Sequence, residues 1–389
     1  MKRREFVAGT TAFIATLAGG RAKATTPCPM PTVRVDTENP VATTCEPPPS
    51  WVPSPGQWAE VGLNTVVDVA GPAPATGAAI GTGNGFLNIW AGGAYAPGYG
   101  GRFGSVIYGP NGGHASYDGN DVYAYDIESR LCSLVKATYN PTDRGYNNSL
   151  GEWPDGSPMP PHDYDGHTVL PIGAKGSLVV PQTYANLTFN PGDRVSVSHL
   201  LDLDTKVWSR GADFVKPVHP AAAYDPSRQC MWYYGEPVGP LSSYDGTTFR
   251  QYDSNHYAIA ADTVATIDTQ RDQFVHLRHD GALFVTDLKN PNAQPPPITV
   301  GVPMGQGAAF EYVEERDRII AWNGGRTVYA LDPNNYAAGW IAEGSSSSQV
   351  PPDPVNNSYS KYIWCRAVRC LIGISGATAR AYAYRPLAT

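Results

Sequence analysis

Apolar and polar residues alternate along this chain with a period of two, in short bursts separated by turn residues. "RFGSVIY" and "DVYAYDIES" are such bursts, and the glycine-rich "GPNGGHAS" runs between them. The alternation predicts strands and the glycines predict their connection, so His114 is placed on a loop. A longer unit then repeats: a small apolar strand, a turn with charged residues, a second apolar strand ending in glycine or polar residues, and a third ending near aspartate. "AAAYDPSRQCMWYYG", "ATIDTQRDQFVHLRHDGALFVTDL", "AAFEYVEERDRIIAWNGGRTVYALD" and "KYIWCRAVRCLIGISGATARAYAY" are examples. Aligned on their turns, the units are roughly 40 to 60 residues long, the period of propeller blades. Counting Gln57 to Gly100 as one unit, and the His114 and His167 segments as two more, about seven blades are expected.

Composition agrees with an all-β chain. Forty-one glycines and 36 prolines interrupt every stretch of helical length beyond the N-terminus, and 42% hydrophobic against 16% charged residues suffices for a large core. The expected organisation is a single all-β propeller of four-stranded blades over residues 57–389. Residues 25–56, with "PCPMPT" and "CEPPPSWVPSPG", read as a proline-rich extended arm.

The first 24 residues read as a cleaved signal, with a basic start, a short apolar middle and Ala-Lys-Ala before the cut. Arg3 and Arg4, followed by Glu5 and Phe6, resemble a twin-arginine signal; an ordinary secretory signal is the other reading. Either way the expected location is periplasmic or extracellular, with no membrane anchor. Removing this segment takes away five basic residues and one acid, so the formal charge goes from -7 to -11. That excludes nucleic acid as an expected partner, because its binding needs a basic footprint. A monomer is expected. Six cysteines in an exported chain favour disulfides. Cys365 and Cys370 flank a tight hairpin, Cys28 and Cys45 stand on the arm, and Cys132 and Cys230 have no evident partner.

Gly112-Gly113 and Gly324-Gly325, each followed by a Val-Tyr-Ala strand ("DVYAYD", "TVYALD"), resemble kelch repeats, the blade type of galactose-oxidase-like propellers. The chain is also similar to exported bacterial kelch-type proteins in which "GGH", a tyrosine, an asparagine and "VYAYD" share a blade, with "DGSPMPPHDYDG" opening the next. The resemblance implies kelch-like blades. Its bearing on function is limited, since propellers carry enzymes and binding modules alike.

In a ring of blades, the loops joining second to third strands open on the same face as the crossings between blades. That mouth is expected to receive His114 and Tyr117 from one blade, Tyr184 and Arg194 from the next, and Arg278 with His279 from a third. Arg326 comes from a fourth, and His162 in "PPHDYDG" belongs to the same pattern. Histidine and tyrosine suit proton transfer, and arginine suits a carboxylate held in a bidentate fork. His114, Tyr184 and His279 are therefore the candidate catalytic residues, and Tyr117, His162, Arg194, Arg278 and Arg326 the candidate substrate-binding ones. Polysaccharide lyases acting on uronate-containing glycans are built on propellers with such constellations. The resemblance thus implies β-elimination on a polysaccharide or oligosaccharide, with a non-catalytic glycan- or protein-binding module as the alternative.

The turn alignment also places His167, His219, Asp262, Gly307 and Tyr359 at one equivalent position near the start of the innermost strand. His167, His219 and Asp262 are candidate ligands for zinc, manganese or calcium. Structural readings stand beside these: a packed channel histidine for His219, a blade-to-blade hydrogen bond for His114, solvated loop charges for the arginines. Copper-radical oxidation would need a cysteine in a mouth loop, which neither Cys132 nor Cys230 occupies. A carboxylate-pair hydrolase drawing on Asp118, Asp165, Asp193 or Asp262 has no spacing to mark two of them as partners.

Overall fold

The computed structural model describes residues 48–387, apart from 74–79, 81–84, 89–90, 111–116, 118, 140–150, 162–163, 182, 185–193, 196, 214–217, 237–239, 253–262, 294, 302–306 and 344–346. The expected signal, Cys28 and Cys45 lie outside these residues.

Six four-stranded antiparallel sheets follow one another along the chain. The first blade is Gly93–Ala96, Ser105–Tyr108, Val122–Asp126 and Leu131–Lys136. The second is Thr168–Leu170, Ser177–Val180, Val197–Asp202 and Trp208–Asp213. The third is Val218–Asp225, Cys230–Glu236, Ser242–Tyr244 and Phe249–Gln251. The fourth is Val264–Asp268, Gln273–Leu277, Ala282–Asp287 and Ile298–Thr299. The fifth is Ala309–Val313, Arg318–Trp322, Val328–Leu331 and Ile341–Glu343. In the sixth, Tyr362–Cys365, Cys370–Gly373 and Tyr382–Arg385 are completed by Gln57–Glu60 from the opposite end of the body, with Trp58 opposite Tyr384. The first strands of successive blades adjoin one another all the way round, sixth to first included, so they form the innermost ring.

The chain is therefore a six-bladed β-propeller, and the expected seven blades are corrected to six. The surplus came from reading Gln57 to Gly100 as a blade. Its first strand instead closes the last blade, and Gly93–Ala96 opens the first.

The burial pattern explains the hydrophobic code. Second and third strands are covered on both faces by neighbouring blades, so "SVIY" is buried throughout and "VYAYD" in all but its last residue. Outermost strands such as Leu131–Lys136 and Trp208–Asp213 leave one side to solvent and mix polar with apolar residues. Every blade makes the same first hairpin. The residue just before its second strand has positive φ in all six: Gly104, Gly176, Gln229, Asp272, Asp317 and Arg369. In four blades a non-glycine residue takes this left-handed conformation, so the surrounding ladder must offset a local cost of about 1 kcal/mol.

These hairpins are tied together on the lower face. Asp225 accepts from the backbone N–H groups of Ser227 and Arg228, while the Arg228 guanidinium reaches the next blade's Asp272 at 2.5 and 2.8 Å. One blade on, Asp268 caps its own turn in the same way, and Arg271 holds Asp317 through two bonds of 2.6 Å. Arg366 of the sixth blade reaches back to Glu314 of the fifth at 2.6 Å.

Among the described residues Cys132, Cys230, Cys365 and Cys370 are all free thiols. Cys365 and Cys370 do face each other across their hairpin, but the expected bridge is absent. The Cys370 thiol donates to the Val368 carbonyl at 3.4 Å. Burial pushes both thiols far above their ordinary range, away from the thiolate that disulfide exchange requires.

Candidate functional site

The upper face carries the crossings between blades and the loops from second to third strand. Just beneath it, two crossing segments turn inward and fill the axis. Tyr164 and Asp165 lead into the second blade, Tyr359 and Ser360 into the sixth, and all four residues are buried. Both tyrosines have positive φ, and their rings meet edge to face at 5.5 Å. Such strained backbone persists only where the surrounding structure holds it firmly.

Asp165 is the hub of this arrangement. Its backbone N–H donates to the Pro220 carbonyl of the third blade, and its own carbonyl accepts from the Ala222 N–H at 2.8 Å. Its carboxyl oxygen Oδ2 accepts from the Ala265 N–H of the fourth blade at 2.9 Å, and its carboxyl group also bonds the Ser360 hydroxyl of the sixth. The Ser360 oxygen in turn accepts from the Gly93 N–H of the first blade at 3.1 Å. Glu311, on the innermost strand of the fifth blade, feels the Asp165 charge and accepts from the Trp364 N–H. Asp165 belongs to the second blade, so this residue and its immediate partners link five of the six blades through hydrogen bonds. Gly92 makes room for the crossing: a Cβ there would fall 2.2 Å from Ser360 Oγ and 2.3 Å from the Tyr164 carbonyl oxygen.

Burial sets the protonation of this cluster. Asp165 is pushed well above the usual carboxylate range, with its two donors only partly opposing the shift. Burial and the neighbouring Asp165 push Glu311 up to about 8. Burial thus disfavours the charged form of both carboxyls.

The residues expected at the mouth divide. His114, His162 and Asp262 lie outside the described residues. Tyr184 and Arg194 face each other as backbone partners in a two-residue extension of the second blade's middle hairpin. His219 lies on the innermost strand of the third blade. His167 is buried just before the innermost strand of the second blade, and burial pushes it down to about 3, so it is neutral. Among the described residues no three His, Cys, Asp or Glu side chains stand together as a metal site.

Tyr117 is not a mouth residue. Its ring is fully buried, packed edge-on against Phe86 at 6.0 Å, with its hydroxyl donating to Asp121 at 2.5 Å. Arg278 lies on the fourth blade's upper loop, but its guanidinium is committed to Asp280 at 2.8 and 2.5 Å and lies over Phe284. That bond holds Asp280 down to about 2. Beside it, half-buried His279 has a sheltered Nδ1 with no hydrogen-bond partner. Arg326, on the equivalent loop of the fifth blade, is exposed.

Sequence reasoning gave no role to three residues that organise this region. Glu311 is a lone acid in the apolar run "AAFEYV", half-buried on the innermost strand of the fifth blade, and an acid inside an apolar strand is a signal of its own. Ser360 carried no signal. Asn120 closes the base of the first blade's upper loop: its amide donates to Ser157 Oγ and the Pro158 carbonyl, and its oxygen accepts from the Thr138 hydroxyl and the Tyr139 N–H.

No protein-family model matches the chain, and no curated protein matches it. Among solved structures, a structural-genomics protein of unknown function from Bacteroides thetaiotaomicron aligns at 8% identity and a TM-score of 0.49, covering 84% of this chain and 75% of that one. A chain of a nidogen/laminin complex aligns at 11% identity and a TM-score of 0.40, covering 63% of this chain and 76% of that one. The class is defined by the strand topology itself, a six-bladed β-propeller with a plugged axis.

Proposed function

We propose that the chain is a carbohydrate-active propeller that cleaves a uronate-containing glycan by β-elimination on its upper face. One observation carries this reading: the equivalent loops of two adjacent blades bring His279 and the exposed Arg326 to the same face as the hairpin extension that carries Tyr184 and Arg194. In β-elimination the proton beside the uronate carboxylate is removed, the bond to the leaving sugar oxygen breaks, and a carbon–carbon double bond forms as that oxygen is protonated. His279 is suited to accept the first proton and Tyr184 to supply the second. Arg326 and Arg194 are suited to hold the carboxylate as charge moves onto it.

Two observations favour a binding module instead: Tyr117 is withdrawn into the core and Arg278 is already paired with Asp280. Incubation with a panel of uronic-acid polysaccharides separates the two. Elimination yields an unsaturated product that absorbs in the ultraviolet, and His279→Ala lowers its rate by about 100-fold or more without loss of folded structure. No unsaturated product across the panel, with glycan binding retained, refutes the lyase reading in favour of the module.

A further inference from the structure

We infer that Arg278 and Asp280 are positioning residues for His279: their ion pair clamps the turn that carries the imidazole and fixes how the upper face presents it. The task of His279 is taken from the lyase reading, whereas the clamp stands without it. The second and third strands of the fourth blade are joined by "RHDG". The Arg278 N–H donates to the Ala282 carbonyl at 2.9 Å, and the Gly281 N–H donates to the Arg278 carbonyl at 2.9 Å. This is a three-residue hairpin loop whose last residue takes positive φ, and Gly281 supplies it at 83°. His279 and Asp280 occupy the two central positions of the turn. Across it, Arg278 Nε and Nη2 reach the two Asp280 oxygens at 2.8 and 2.5 Å, a two-point fork. Asp280 Oδ1 also accepts from the Ala282 N–H at 3.1 Å. The residues before and after His279 are thus locked to each other and to the strand that follows.

The clamp is anchored in the blade beneath it. The Arg278 guanidinium lies 5.7 Å from the centre of the Phe284 ring. Phe284 stacks on its cross-strand partner His276 at 4.7 Å, with 5° between the ring planes, and His276 meets Tyr234 of the third blade at 5.2 Å. All three rings are buried, so the guanidinium rests on a fixed base. The Arg278 and Asp280 side chains keep 24% and 44% exposure, and a pair this open adds little to global stability. Its effect is local order. With the cation and the acid of the turn committed to each other and Gly281 lacking a side chain, His279 is the residue the turn offers for chemistry. The pairing that takes Arg278 away from substrate therefore gives it a different task. Such order matters because a proton acceptor works only within hydrogen-bond reach, and a small misplacement costs rate.

Two measurements on the full chain test this. The first needs no substrate: backbone nitrogen relaxation at His279, in wild type and in Arg278→Ala. The order parameter should be about 0.85 in wild type, the value of rigid backbone, and should fall below about 0.6 in the variant, while Tm stays within about 2 °C. A mobile His279 backbone in wild type, or an equally rigid one in Arg278→Ala, overturns the inference. The second reads turnover on the uronate glycan that wild type cleaves. Arg278→Ala and Asp280→Asn should each lower kcat by about 10-fold or more with KM within about 2-fold of wild type. Arg278→Lys, which keeps the charge beside Asp280 but not the fork, should recover part of that loss. A rise in KM with kcat intact makes Arg278 a substrate ligand and overturns the inference. If wild type forms no unsaturated product, the lyase reading fails on its own account, and relaxation alone decides whether the clamp orders His279.

Discussion

Trp58→Ala tests whether the ring is held shut by its last strand. Trp58 is 2% exposed and lies within 5.0 Å of Trp322, 5.1 Å of Tyr384 and 5.8 Å of Tyr362, measured between ring centres. Its indole N–H donates to the Arg326 carbonyl at 3.2 Å, and its own carbonyl accepts from Ser347 at 2.7 Å. It therefore joins the second strand of the fifth blade to three strands of the sixth. Truncating a buried aromatic of this size costs about 3 to 5 kcal/mol. The aromatic pairs add about 0.5 kcal/mol or more each, and the indole bond about 1 kcal/mol. Because these contributions share the same contacts they do not sum, and about 5 kcal/mol is expected in total. Equilibrium unfolding in guanidinium chloride reads this as a lower midpoint at unchanged slope, with Trp58→Phe recovering more than half of the loss. A loss below about 1 kcal/mol would refute the reasoning, since the strand would then be held by its backbone ladder alone.

Three further outcomes are expected. Arg271→Ala removes a clamp that grips Asp268, Asp317 and Asn334 together, and should cost about 2 kcal/mol in denaturant unfolding. The Arg271 guanidinium holds Asp317 well below the usual carboxylate range. The Asp317 contribution is therefore present at neutral pH and lost in acid as pH falls through that depressed value, and Arg271→Ala should flatten this acid limb of the stability profile. Gly92→Ala should destabilise by about 2 kcal/mol or more, read as a fall in Tm, because the added methyl collides with Ser360 and the Tyr164 carbonyl across the axis. Arg369→Gly should raise stability by a few tenths to about 1 kcal/mol, since glycine adopts the positive φ of that turn without strain.

Much of the fold was legible because the repeated hairpin has a strong code. "YDPSRQC" and "IDTQRDQ" carry an aspartate that caps the turn and an arginine three residues on that reaches the next blade. The apolar runs beside them mark strands covered on both faces. Blade count was not legible in the same way. Period counting cannot tell a short N-terminal strand that opens a blade from one that completes the last, and Gln57–Glu60 does the latter. The candidate site was legible as a set of loops but not as a set of free side chains. Tyr117 sits on the expected connection, yet its ring turns inward to Asp121, and a tyrosine in a glycine-rich stretch reads the same either way. Asp165 was one acid among several in that region. Its importance comes from crossing the axis, a relation among distant segments that alternation within any one of them does not encode.

The closing strand has a consequence for biosynthesis. Glu60 and Tyr382, which end up hydrogen-bonded, are 322 residues apart in sequence. At about 5 to 20 residues per second, the ribosome needs roughly 15 to 65 s to deliver the second after the first. Throughout that interval the nascent segment Gln57–Glu60 has no native partner, and five blades stand complete before it can dock. Ring formation thus ends on an intrinsically slow, non-local contact. A cell that makes this protein must shield a short unpaired strand until the last hairpin has emerged.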